Sequence, residues 1–152
     1  MKNKHFILVG VEPLDGMRLR LTYADGAVLE TDIAPLIARH PSLQPIASVF
    51  HTAALGDFGY SVIWDDNDEL ELAADNLRAR ALEQRDEFSH ETIINWMARH
   101  HFTLEQAAEE LGLSRRMLGY YLSGEKPVPR TVALACIGWT HAARDRRFAL
   151  AA

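Results

Sequence analysis

A chain of 152 residues has room for one domain or two small ones. With 48% hydrophobic and 24% charged residues it has a globular composition, which excludes a disordered or fibrous chain, and no apolar run reaches the ~18 residues of a membrane-spanning helix. The net charge of −5 argues against a uniformly basic nucleic-acid binder, but residues 1–86 hold 8 Lys/Arg against 14 Asp/Glu, and residues 87–152 hold 8 against 7.

The first apolar segment, with Phe6, Leu8 and Val11, predicts a strand closed by a turn at Pro13-Leu14-Asp15-Gly16. Basic residues precede it, but Glu12, Pro13 and Asp15 cut it short and no small-residue cleavage site follows, so it does not read as a signal peptide. Met17 to Tyr23 alternates apolar and polar, the period of a half-buried strand. Asp25-Gly26 is a hairpin signal, and Ala27 to Ile33 gives the returning strand. Short helices are expected at Ala34–Arg39 and Leu43–Phe50, then a strand at Gly59–Trp64 ended by the acidic turn Asp65-Asp66-Asn67-Asp68. The front half thus reads as a small antiparallel sheet with helices on one face.

After Asp68 the period becomes helical. Leu72, Asn76 or Leu77, and the Arg78–Arg85 stretch suit a helix, and helices dominate from His90 onward. The fold class is therefore α+β, with a small α+β domain over residues 1–82 and an all-α bundle over residues 83–152. Between them, Glu83-Gln84-Arg85-Asp86-Glu87 is either a continuous helix or a short tether. Cys136 is the single cysteine and lies in an apolar helical run, so a buried thiol in a reducing, cytoplasmic setting is expected.

Thr103 to Gly124 is the most informative segment. Thr103 can cap a helix, with Gln106 three residues later as the reciprocal partner. Ala107 and Ala108 let two helices cross closely, and Leu111 anchors the helix end. Gly112 supplies the left-handed residue of a tight turn, and Leu113 tucks inward. Ser114 caps a second helix whose first exposed residues are Arg115 and Arg116, with Leu118, Tyr121 and Leu122 at inward spacing. Ser123-Gly124 stops that helix, and Pro129 opens the next.

This pattern resembles the Cro/phage-repressor (XRE-type, lambda repressor-like) helix-turn-helix family over about 50 residues, with Glu91–His101 as the first helix and Ser123–Pro129 as the exit. The resemblance implies binding of double-stranded DNA. Arg115, Arg116 and Tyr120 match the positions that read base edges, and arginine suits the O6 and N7 acceptors of guanine. Ser123, Lys126 and Arg130 would lie near phosphates. Two departures stand out: Leu104 occupies the position where the family usually has a glutamine on DNA, and Gly119 interrupts the recognition helix. Cations at a helix N-terminus also oppose its dipole, which favours an external anionic partner for Arg115 and Arg116 over a merely solvated helix start.

The front half, from Leu19–Gly26 through Asp32–Ile37 to Trp64–Leu70, resembles a small bacterial α+β domain family of unknown function. It occurs alone or joined to a repressor-like helix-turn-helix, some members being encoded near toxin–antitoxin-like genes. Asp65, Asp66, Asp68, Glu69 and Glu71 lack the spacing of a calcium loop and read as a solvated turn feeding a helix. His100 and His101 are adjacent and cannot chelate together, and with His90 they read as surface or capping residues. No metal, cofactor or catalytic constellation is expected, so the chain does not read as an enzyme. The leading expectation is a DNA-binding transcriptional regulator without a membrane segment. The alternative is a protein-interaction or antitoxin-like module whose acidic front domain covers a partner and whose helix-turn-helix is degenerate. A homodimer fits the first reading, since one helix-turn-helix covers a half-site. Val132 to Trp139, with Phe148 and Leu150, offers either a subunit interface or the completion of a five-helix core.

Overall fold

In the computed structural model, which describes residues 3–144, the front of the chain holds two three-stranded antiparallel sheets. Strands β1 (Leu8–Leu14), β2 (Arg18–Tyr23) and β3 (Val28–Asp32) form the first in that order; β4 (Ala54–Leu55), β5 (Ser61–Trp64) and β6 (Asn67–Ala73) form the second. Helix α1 spans Ala34–Arg39 and α2 spans Ala74–Glu83. The chain divides between Asp86 and Glu87 into two units. The second unit is helical, with α3 (His90–His100), α4 (Leu104–Leu111), α5 (Arg115–Leu122) and α6 (Arg130–Arg144). This is an α+β chain, as the two sequence periods imply.

The alternation in β2 does what it predicts. Leu19, Leu21 and Tyr23 are buried, while Arg18 and Arg20 face outward and pair with Glu30 and Glu12 on the flanking strands. At the end of β2, Gly26 is the only residue of its loop at positive φ, and Tyr23 bonds both Gly26 and Ala27. The connection is thus a three-residue loop ending in a left-handed glycine. The two-residue hairpin turn lies elsewhere, at Asp65-Asp66, where both residues have positive φ and Trp64 pairs with Asn67. Aspartate tolerates that conformation because its short side chain can bond locally.

Several expectations are corrected. Phe6 lies in a 3-10 turn (Lys4–Phe6), and Pro13 and Leu14 continue β1, where a terminal strand accepts a proline. Leu43–Phe50 is not an α-helix: Pro41–Ser48 is a 3-10 helix, because Pro45 inside it cannot donate the backbone bond an α-helix needs. The acids after Asp65 feed no helix. Asp68, Glu69 and Glu71 sit exposed on β6 while Leu70 is buried, and the helix begins only at Ala74. Of the two alternatives for the charged segment the short tether holds: α2 ends at Glu83 with Gln84 as its cap, and residues 84–86 form a turn.

One core holds the front unit together: Leu8, Leu19, Leu21, Tyr23, Ile33, Ile46, Val62, Trp64 and Leu77 are all essentially inaccessible. A half-buried polar cluster fastens its edge. Arg78 donates to Asp25 (2.9 Å) and to the His5 carbonyl (2.7 Å), His5 Nδ1 meets Asp25 at 2.9 Å, and the guanidinium lies over the Tyr23 ring.

Candidate nucleic-acid interface

The helical unit is built around Ile93, Trp96, Ala107, Ala108, Leu118, Tyr121 and Cys136. Each of its first three helices starts on a side-chain cap. Ser89 accepts from Glu91, Thr103 and Gln106 form a reciprocal capping box, and Ser114 accepts from Met117 at 3.0 Å. Between α4 and α5 the chain makes a tight turn. Gly112 takes φ 68° and donates to the Glu109 carbonyl, and Leu113 donates to the Ala108 carbonyl while its side chain packs into the core. This is the Schellman closure, which satisfies two carbonyls at the end of α4 and turns the chain within three residues. The result is a helix-turn-helix, with the small Ala107 and Ala108 at the buried crossing.

Leu118 and Tyr121 point α5 into the core, so helical periodicity puts Arg116, Tyr120 and Ser123 on the opposite face, flanked by Arg115 and Gly119. Four of the expected site residues are linked by contacts. Arg116 Nε donates to the Tyr120 hydroxyl (2.6 Å), and Lys126 Nζ stands 4.9 Å from the Tyr120 ring centroid. The Lys126 backbone N–H donates to the Tyr120 carbonyl, and Ser123 Oγ does the same. Tyr120 therefore gathers two cations on one side of the unit. Arg115 is exposed at the first position of α5 but joins this cluster through no contact. Arg130, at the first position of α6, lies over the Phe88 ring instead. Among the described residues, none of these four cations is in an ion pair.

The spacing of Arg116 and Tyr120, four residues apart on a helix, is a signal the sequence carries. The return of Lys126 onto the same ring depends on the loop from Ser123 to Pro129 and is not readable from spacing. Leu104 is half-buried against the helical core, which accounts for an apolar residue at that position. Gln106 is engaged in the capping box. Gly119 costs α5 about 1 kcal/mol relative to alanine.

Behind this face, α6 closes the unit. Trp139 stacks edge-on against Trp96 and Phe102 and donates to Glu110 at the end of α4 (2.8 Å). His100 joins this aromatic cluster, 4.6 Å from Trp139, and bonds Thr140. Its neighbour His101 is the exposed, left-handed cap of α3, as expected, whereas His90 is buried at the start of that helix and not at the surface. Cys136 is buried, and burial pushes its thiol up to about 11. Phe148 and Leu150 lie outside the described residues. No His/Cys/Asp/Glu group among the described residues could hold a metal, and no described helix is long and apolar enough to cross a membrane.

Residues 84–122, which hold α3, α4 and α5, match the family described as bacterial regulatory protein, Fis family. No curated protein matches the chain. Among solved structures, the crystal structure titled "Putative DNA Binding Protein NE0471 from Nitrosomonas europaea ATCC 19718" is 41% identical, with a TM-score of 0.79 over 88% of this chain and 86% of that one. The chain belongs to the family of that Nitrosomonas protein. A likeness of this extent enters both units, so the relative shares the joining of the α+β unit to the helix-turn-helix. The regulatory match is of Fis type and ends with α5, leaving α6 outside it.

Proposed function

We propose that this chain is a DNA-binding transcriptional regulator that lays α5 in the major groove. The observation that carries the reading is the start of α5: two exposed arginines, unpaired among the described residues, on the second helix of a capped helix-turn-helix. The regulatory family match and the DNA-binding name of the Nitrosomonas relative support it. In this reading Arg115, Arg116 and Tyr120 meet base edges. Ser123, Lys126 and Arg130 meet phosphates. Tyr120 holds Arg116 by its Nε, so the guanidinium meets the groove with its two terminal nitrogens already oriented. A repressor-type arrangement is favoured over a bare Fis-type motif by α6, which follows the glycine-then-proline exit and packs Cys136 and Trp139 onto the core. The reading has no catalytic step.

The test is binding to the promoter of the chain's own gene across a salt series. The expected result is an affinity that falls steeply with salt and drops at least a hundredfold in Arg115→Ala/Arg116→Ala, whereas Lys126→Ala or Arg130→Ala makes the salt slope shallower by about 1. Wild-type binding no tighter than to random DNA at low salt would sink the proposal.

A second reading is favoured by one observation: β6 presents Asp68, Glu69 and Glu71 on the surface of a front unit with a surplus of six acids. Such a face suits a basic protein partner. The same chain can bind DNA through α5 and a protein through this unit. In the DNA-bound state it acts as a homodimer, for which the exposed Leu134 and Ile137 of α6 supply an apolar surface.

A further inference from the structure

Gly119 is a residue that the folded chain does not require. Its backbone is helical, unlike the left-handed Gly112 and Gly124, so its conformation does not call for glycine. Nor does its packing. Beyond its own helix backbone and chain neighbours, no atom among the described residues lies within 4 Å of where a Cβ would project. Alanine would fit and would make a better helix. Yet Gly119 sits in the middle of α5, one turn after Arg115 and beside Tyr120, on the side away from Leu118 and Tyr121.

We infer that Gly119 sets how deeply α5 enters the DNA groove: the missing side chain lets a base edge or deoxyribose come against the helix backbone itself. The inference rests on the DNA-binding reading of α5. A C–H···O approach to a bare Cα is about 3.3–3.6 Å. A methyl group there would have to make its own contact first, standing the helix off the base edges. The side chains on either side would then lose reach together, because Arg115, Arg116 and Tyr120 are carried by the same short helix. Phosphate contacts tolerate such a shift better than base contacts, since charge attraction falls off slowly with distance and hydrogen bonds do not. Gly119 is thus a positioning residue for sequence discrimination, more than for DNA affinity as such.

The experiment uses the full chain and a duplex that the wild type enriches from a random-sequence pool. Gly119→Ala is expected to raise the thermal midpoint of the helical unit by about 5 °C. It should weaken binding to the enriched duplex at least tenfold and change binding to random duplex less than twofold. Gly119→Leu should extend the loss. Unchanged binding of the enriched duplex by both variants would overturn this inference while leaving the DNA-binding reading in place. A lowered midpoint in Gly119→Ala would also overturn it, because the fold would then require the glycine. A wild type that enriches no sequence would overturn both.

Discussion

Asp25 shows how much a single side chain can do when several donors converge on it. Burial alone would raise its carboxyl. The bonds from Arg78, His5 and the Ala27 N–H outweigh that, and its pKa falls from 3.8 to about 2. A depressed carboxyl stabilises the fold fully above its unfolded value, and the contribution is lost as the pH falls from about 4 towards 2. Allowing for solvent screening, the shift corresponds to about 1–2 kcal/mol. Asp25→Asn should therefore lower the unfolding free energy of the front unit by that amount at pH 7. The gap between wild type and variant should close as the pH is taken from 4 to 2, in urea titrations at each pH. A gap that stays constant down to pH 2 would mean that Asp25 acts through shape and not through charge. In the helical unit the corresponding hub is Tyr120. It draws Arg116 and Lys126 together, where mutual repulsion would otherwise spread them, and this lets a nearly neutral half present a locally basic face.

Among the elements, the end of α2 has a role that no sequence pattern announces. Gln84 donates from Nε2 to the Asp32 carbonyl and accepts from the Asp32 N–H, both at 2.8 Å, and accepts from the Thr31 hydroxyl. Its side-chain amide mimics a paired strand at the edge of β3, which the ladder leaves open. Gln84→Ala should cost about 1 kcal/mol in chemical denaturation and speed amide exchange at Asp32. Unchanged exchange there would show that solvent serves the edge equally well. Local signals made the helical unit legible. Its caps, its glycine turn and the inward Leu118 and Tyr121 all act within a few residues of chain, so Thr103 to Gly124 could be read almost residue by residue. In the front unit β2 and α1 were legible for the same reason, but β6 was not. Its Glu-Leu-Glu-Leu alternation runs directly into the helix of Ala74, and the five acids among the seven positions from Asp65 to Glu71, which straddle its start, resemble a solvated turn more than a strand. Contacts across long loops, such as Gln84 on Asp32 or Lys126 on Tyr120, depend on tertiary structure and carry no pattern in sequence.

For the whole molecule, the distribution of charge constrains how two copies could meet. A two-fold interface places each surface opposite itself, so any charge near the axis meets its own like. In a chain with a net charge of −5, an uncharged patch is the place where self-association is least opposed. From Thr131 to Ala142, α6 carries no Asp, Glu, Lys or Arg. Its inner side is committed to the core through Ala133 and Cys136, but Leu134 and Ile137 are 46% and 41% exposed, with the exposed Gly138 beside them. Gly138, like Gly119, has no atom among the described residues within 4 Å of a would-be Cβ, and a bare position beside two large apolar residues suits the close approach of a second helix. Two half-sites read by linked copies bind far more tightly than one, because the second contact is made at high effective concentration. Leu134→Lys/Ile137→Lys is therefore expected to leave the fold intact, since both side chains already face outward. It should convert the protein from dimer to monomer in sedimentation equilibrium and weaken promoter binding by a hundredfold or more. It should leave the affinity for a single half-site within about threefold of the wild type, because α5 and its cations are untouched. If the wild type sediments as a monomer at the concentrations where it binds its promoter, α6 is not a subunit interface, and α5 must bind its site as a single copy.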